Sequence, residues 1–289
     1  MTLQSFLQAG WRDHGDHPED VAIRLAESLA LVEAPADVAP FVRLLTHVHG
    51  EHLGQWQRGI DLLEALARVP AFDGSALVRG PVMRGTAMLR FVGGDPSALE
   101  GLSDEDATHA LASAADALAA RGQVASAIAA FSLALARVPD TLDKEHPAAR
   151  ALAVCGNNFS AVLEKSADLG PAETRAMIAA AETGLRYWKL AGTWLEEERA
   201  DYQLSRCQLR AGDVEAAMAS IDRCIAVCTR NDAPPFELFF GHAVRAVLHR
   251  VRGEHAAFVE SRRAALEHYV LIPADEQRWC EREHTELGG

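Results

Sequence analysis

The hexapeptide Ala-Leu-Ala-Arg-Val-Pro occurs twice, at Ala65–Pro70 and Ala134–Pro139, with starts sixty-nine residues apart. That offset is close to two periods of about 34 residues, so the chain should be built from stacked, repeated units. A second marker agrees with the first. Four turns read Gly, then Gln, Asp or Glu, then Trp, Val or His: Gly54-Gln55-Trp56, Gly122-Gln123-Val124, Gly212-Asp213-Val214 and Gly253-Glu254-His255. Each closes one helical stretch and opens the next, with glycine supplying the left-handed conformation that ends a helix. Five residues after these glycines stand Gly59, Ala127, Ala217 and Phe258, three of them small enough for two helix backbones to approach closely.

The side-chain inventory fits helices and excludes sheets. Of 289 residues, 53 are alanine and only 6% are aromatic, so the apolar content is small, unbranched and helix-favouring. Helix punctuation divides the chain further. Asp16 and Pro18 start a helix to about Glu33, and Ala34-Pro35 breaks it before another that runs to about His49. Ser75 to Val92 is apolar-periodic, and Gly93-Gly94-Asp95-Pro96 reads as the best internal hinge before Asp104. Ala148 to Ala167 and Pro171 to Ala191 form an extra pair, and Pro273 to Leu287 reads as a polar capping helix anchored by Trp279 and Cys280.

Ala127, Phe131 and Pro139 follow the Ala, aromatic and terminal Pro spacing of a second repeat helix, and here the chain resembles the tetratricopeptide repeat superfamily. The unit around Gly212 keeps Ala217, Ile221 and Cys224 but lacks the proline, and Phe258 replaces the small residue in the last unit. The resemblance covers residues 37 to 271. It implies an all-α, α-α superhelix, a right-handed solenoid of about twelve or thirteen helices. The expected organisation is one elongated repeat domain over residues 1–289, with N-terminal pairs at 1–95, core pairs at 103–271 and a cap at 273–289.

The formal charge is −13, from 41 Asp+Glu against 28 Lys+Arg, and such a field repels phosphate, so nucleic acid is not expected as a partner. Only Lys144, Lys165 and Lys189 are lysines, so arginine makes nearly every cationic contact. Residues 1–20 carry no signal-like apolar run and no stretch of 18 apolar residues occurs, so a cytoplasmic protein away from membranes is expected. Cys155, Cys207, Cys224, Cys228 and Cys280 are odd in number and lack a CxxC pair, which fits reduced thiols packed as small hydrophobes.

Arg199, Tyr202, Arg206 and Arg210 are spaced 3, 4 and 4 apart and share one helix stripe, opposite Ala200, Leu204, Cys207 and Ala211. In the preceding pair Arg150 and Asn157 share a face, with Asn158 adjacent. Tetratricopeptide domains that bind peptide carboxylates use cations and asparagines on inner helix faces. The resemblance therefore implies a concave groove in which Arg150, Asn157, Asn158, Arg199, Tyr202, Arg206 and Arg210 take an extended or C-terminal acidic segment. The plainer alternative pairs these arginines with Glu196, Glu197, Glu198 and Glu215 on a solvated face.

His47, His49, Glu51 and His52 are the densest histidine cluster, and Asp13, His14, Asp16 and His17 form another. On an α-helix the first set does not share one face and is not HExxH, so His47, Glu51 and His52 are weak metal candidates. There is no phosphate-binding glycine loop, GxSxG or nucleophile set. The expectation is an interaction module that is not an enzyme and needs no cofactor. Its partner would be a protein or peptide, and a homodimer could form through an aromatic patch. A metal-dependent enzyme and the ligand-sensing part of a transcriptional regulator remain as alternatives.

Overall fold

The computed structural model describes residues 1–288, and the chain is all-α, with no strand among them. Fourteen α-helices follow one another: α1 (Leu3–Asp13), α2 (Pro18–Glu27), α3 (Pro35–His47), α4 (Trp56–Leu66), α5 (Ala76–Val92), α6 (Asp104–Ala120), α7 (Val124–Arg137), α8 (Pro147–Glu164), α9 (Pro171–Ala191), α10 (Trp194–Ala211), α11 (Val214–Arg230), α12 (Pro235–Val251), α13 (His255–Tyr269) and α14 (Glu281–Glu286). None is long and apolar enough to cross a membrane.

Local chemistry sets the ends of these helices. Proline opens α2, α3, α8, α9 and α12, where its missing N–H costs nothing. Ser103 caps α6 by accepting from the Asp106 N–H, and Thr193 and Glu196 form a reciprocal capping box on α10. All four predicted turn glycines adopt positive φ, from 62° at Gly54 to 85° at Gly212. Gly122, Gly212 and Gly253 join the packed pairs α6/α7, α10/α11 and α12/α13. The turn at Gly54 differs: α4 packs chiefly against α5, because a one-turn π-helix (Val48–His52) precedes the glycine and redirects the chain.

The chain divides into two compact units, Met1–Ala151 and a second starting at Leu152, and the division falls within α8. Gly93–Pro96 lies inside the first unit, between α5 and α6, which pack together. The first unit's core joins Phe6, Leu25, Phe41, Leu44, Leu45, Leu63, Leu66 and Leu89 to Ala110, Ala114 and Ala117. Each buried Leu or Phe contributes about 1.5–3 kcal/mol, while the α6 alanines supply room for close neighbours.

In the second unit α8 meets α9 where Gly156 faces Gly184. A Cβ built on Gly156 would lie 2.6 Å from the Ala180 carbonyl oxygen and 2.7 Å from the Gly184 Cα, so only hydrogen fits. Further cores hold Ala217, Ile221, Cys224, Cys228, Val244 and Leu248, and Phe239, Ala243, Ala246, Ala265, Ile272, Cys280 and Leu287.

Two local expectations are corrected. The terminal segment is a 3₁₀ turn (Gln277–Cys280) followed by the six-residue α14, rather than one long helix. Its apolar anchors are Cys280 and Leu287, while Trp279 is 63% exposed with Arg278 over its ring. Ala211 is exposed too, since α10 ends there, whereas Ala200, Leu204 and Cys207 are buried as their spacing predicts.

Candidate functional site

In the second unit the α10 stripe is filled by carboxylates and carbonyls of the chain itself. Arg199 donates from Nε to Glu237 Oε2 at 3.2 Å, and its Nη2 contacts the other oxygen of that α12 carboxylate. Tyr202 donates its hydroxyl to Glu283 Oε1 at 2.5 Å, and burial pushes the phenol well above its usual range. Arg206, only 4% exposed, donates to both oxygens of Glu286, at 2.6 and 2.9 Å. It also reaches Glu164 Oε1 at 3.4 Å.

Arg282 closes the network by donating to both Glu164 oxygens, at 2.9 and 2.6 Å. These bidentate, charge-assisted contacts offset the cost of burying the Arg206 guanidinium. Two further arginines hold the backbone of the same segment. Arg250 donates to the Glu286 carbonyl at 2.8 Å and Arg262 to the Leu287 carbonyl at 2.9 Å. Arg210 donates instead to the Ser166 and Ala167 carbonyls, at 3.0 and 3.2 Å, beside an open depression of about 460 Å³.

The remaining stripe candidates are dispersed. Arg150 is exposed in the first unit, where burial and, after it, the Arg150 charge lower the pKa of Arg43. Asn157 and Asn158 belong to the second unit, where Asn157 Oδ1 is buried without a hydrogen bond and Asn158 is exposed. Of the predicted acidic partners on the solvated face, Glu198 approaches Arg199 Nε at 3.7 Å, Glu215 lies 3.6 Å from Arg252, and Glu197 lies 3.6 Å from Lys189.

Glu198 is nearly inaccessible, and Cys224 and Cys228 donate their thiols to its Oε2 at 3.3 and 3.5 Å. Burial pushes this carboxyl up to about 10, so it is held as the neutral acid. Both cysteines sit in an apolar cluster, in keeping with packing as small hydrophobes.

The first unit gathers three histidines from the two sequence clusters, His14 from one and His47 and His52 from the other. His14 caps the C-terminal end of α1, His47 ends α3, and His52 ends the π-turn. Their ring centroids form a nearly regular triangle, with separations of 4.8 Å for His14–His47, 5.0 Å for His14–His52 and 4.8 Å for His47–His52. Residues five apart on an α-helix point about 140° from each other. The π-turn, in which the Leu53 N–H bonds the Val48 carbonyl at 3.0 Å, brings His47 and His52 to one side. Arg121 fixes that turn by donating to the His52 carbonyl at 2.8 Å.

Glu51 does not face the triangle's centre directly; it binds the far side of one ring, with Oε1 2.8 Å from His47 Nδ1. Burial raises the Glu51 carboxyl to about 8 and lowers His47 and His52 to about 4, so the imidazoles are neutral near pH 7. His49, also in the π-turn, points away into the core with both ring nitrogens buried and unpaired. His17 caps α2 through its backbone alone and stays outside the cluster.

No protein-family model matches the chain. A comparison with curated proteins likewise finds no match.

Proposed function

We propose that the chain is a helical-repeat interaction module of the tetratricopeptide kind, its helix pairs forming a solenoid, and that the α10 stripe recognises an acidic protein segment. The observation that carries this reading is the seating of Glu283 and Glu286 on Tyr202 and Arg206. Two carboxylates one helical turn apart meet a phenol and a guanidinium one turn apart, and the fork of Arg206 takes Glu286 through both oxygens.

In this reading the C-terminal segment occupies the stripe as a tethered substitute for a partner. A tethered segment competes at an effective concentration on the order of millimolar, so a partner must outbid it or be linked to a second contact. The setting is the cytoplasm, and the module needs no cofactor for this task. Displacement tests it. An excess of a peptide with Glu at positions one turn apart should accelerate amide hydrogen exchange across Gln277–Leu287. Unchanged exchange with that peptide shown to be bound elsewhere would remove the stripe as the recognition surface.

A further inference from the structure

Three imidazoles from two separate stretches of chain converge in the first unit with their ring nitrogens already oriented. The Nδ1 of His14 lies 2.7 Å from the Trp11 carbonyl, which can only accept, so this nitrogen carries the hydrogen and Nε2 keeps a lone pair. The Nδ1 of His47 is engaged by Glu51 Oε1 at 2.8 Å, so Nε2 is the ring nitrogen turned toward the other two histidines. That Nε2 lies 3.2 Å from Nε2 of His52. With Zn–N bonds of about 2.0–2.1 Å, two ligands of a tetrahedral zinc ion stand about 3.3 Å apart.

The nearest ring nitrogens of the three residues all fall within 4.8 Å of one another, and each ring is partly open to solvent. We infer that His14, His47 and His52 form a binding site for a divalent transition-metal ion of the zinc class, with Glu51 orienting His47. Two observations favour an ion over a hydrogen-bonded cluster that merely packs.

First, a carbonyl and a carboxyl hold the outer nitrogens of two rings, the kind of outer contact that orients metal-binding histidines. Second, the third ring is brought in by a π-turn, an irregularity that occurs mostly where a helix must present functional side chains. Imidazole suits zinc, copper, cobalt and nickel, whereas calcium and magnesium require oxygen ligands. Three protein ligands leave the fourth position of a tetrahedron to water or to an anion, with Arg43, which lies over the Trp11 ring, on the same side of α3 as His47.

The test uses untagged full-length chain stripped with a chelator, then titrated with Zn²⁺ and, separately, with Co²⁺ as a visible probe. The expected result is one tight equivalent and the intense visible bands of four-coordinate Co²⁺. His14→Ala and His52→Ala should each weaken the affinity at least tenfold to a hundredfold, and Glu51→Gln should do so about tenfold. Circular dichroism establishes that each variant is folded, and the Co²⁺ spectrum of the wild-type chain stands independently of the variants. Absence of a stoichiometric Co²⁺ or Zn²⁺ complex in the wild type, or binding unchanged in folded His14→Ala and His52→Ala, would overturn the site.

Discussion

Arg206 and Glu286 stand 80 positions apart in the chain and meet through two parallel hydrogen bonds, with the guanidinium almost completely withdrawn from water. Removing the Arg206 guanidinium leaves a buried socket in which Glu286 and Glu164 share Arg282 as their one remaining cation. Arg206→Ala should therefore destabilise the chain by about 3–5 kcal/mol, read from its urea unfolding midpoint. Arg199→Ala should cost less, because that side chain is half exposed.

Close approach of α8 and α9 makes a second prediction. Gly156→Ala forces a methyl into the Ala180 carbonyl and the Gly184 backbone, and overpacking of that kind costs about 1–3 kcal/mol or more. Gly15→Ala, where no atom lies near the added carbon, should leave the melting temperature nearly unchanged.

The buried Glu198 carboxyl gives a pH dependence of defined sign. Its value is raised from 4.5 to about 10 in the folded chain, so the folded state keeps a proton that the unfolded state releases. Its stabilisation is complete below pH 4.5 and falls as pH rises toward 10, at up to about 1.4 kcal/mol per pH unit. Glu198→Gln, which mimics the neutral acid, should flatten the decline in urea midpoint between pH 7 and pH 9.

Tyr202 and Glu283 supply a spectroscopic check on the same network. The chain has three tyrosines, and the Tyr202 phenol is pushed well above its usual range by burial beside the Glu283 carboxylate. Ultraviolet titration of the folded protein should show Tyr202 silent through the range where an exposed phenol ionises, and Tyr202→Phe should leave that early titration intact.

Local features of this fold were legible in the sequence because their causes are local. Positive φ at Gly54, Gly122, Gly212 and Gly253 follows from the residue type that tolerates it, and the prolines and caps mark most helix starts. Alanine in α6 likewise announces close helix packing. The sites were less legible because they depend on distant contacts or on an irregular turn. Glu283 and Glu286 fall in a segment that reads as a polar capping helix, yet they turn inward because Cys280 and Leu287 pin the short segment beneath Tyr202 and Arg206. His47 and His52 fail an α-helical face test, and only the π-turn reconciles them; His14 arrives from another helix with no periodicity to announce it.

Fluorescence anisotropy tests directly whether the α10 stripe takes an acidic segment. A labelled peptide with the sequence of residues 277–288 is titrated into the wild-type chain, into Glu283→Gln/Glu286→Gln, and into that double variant carrying Arg206→Glu. Loosening the tethered segment should raise the apparent affinity about tenfold for each charge-assisted bond lost, and reversing the Arg206 charge should abolish it. Equal affinity in all three folded proteins would show that the α10 stripe does not take the acidic segment.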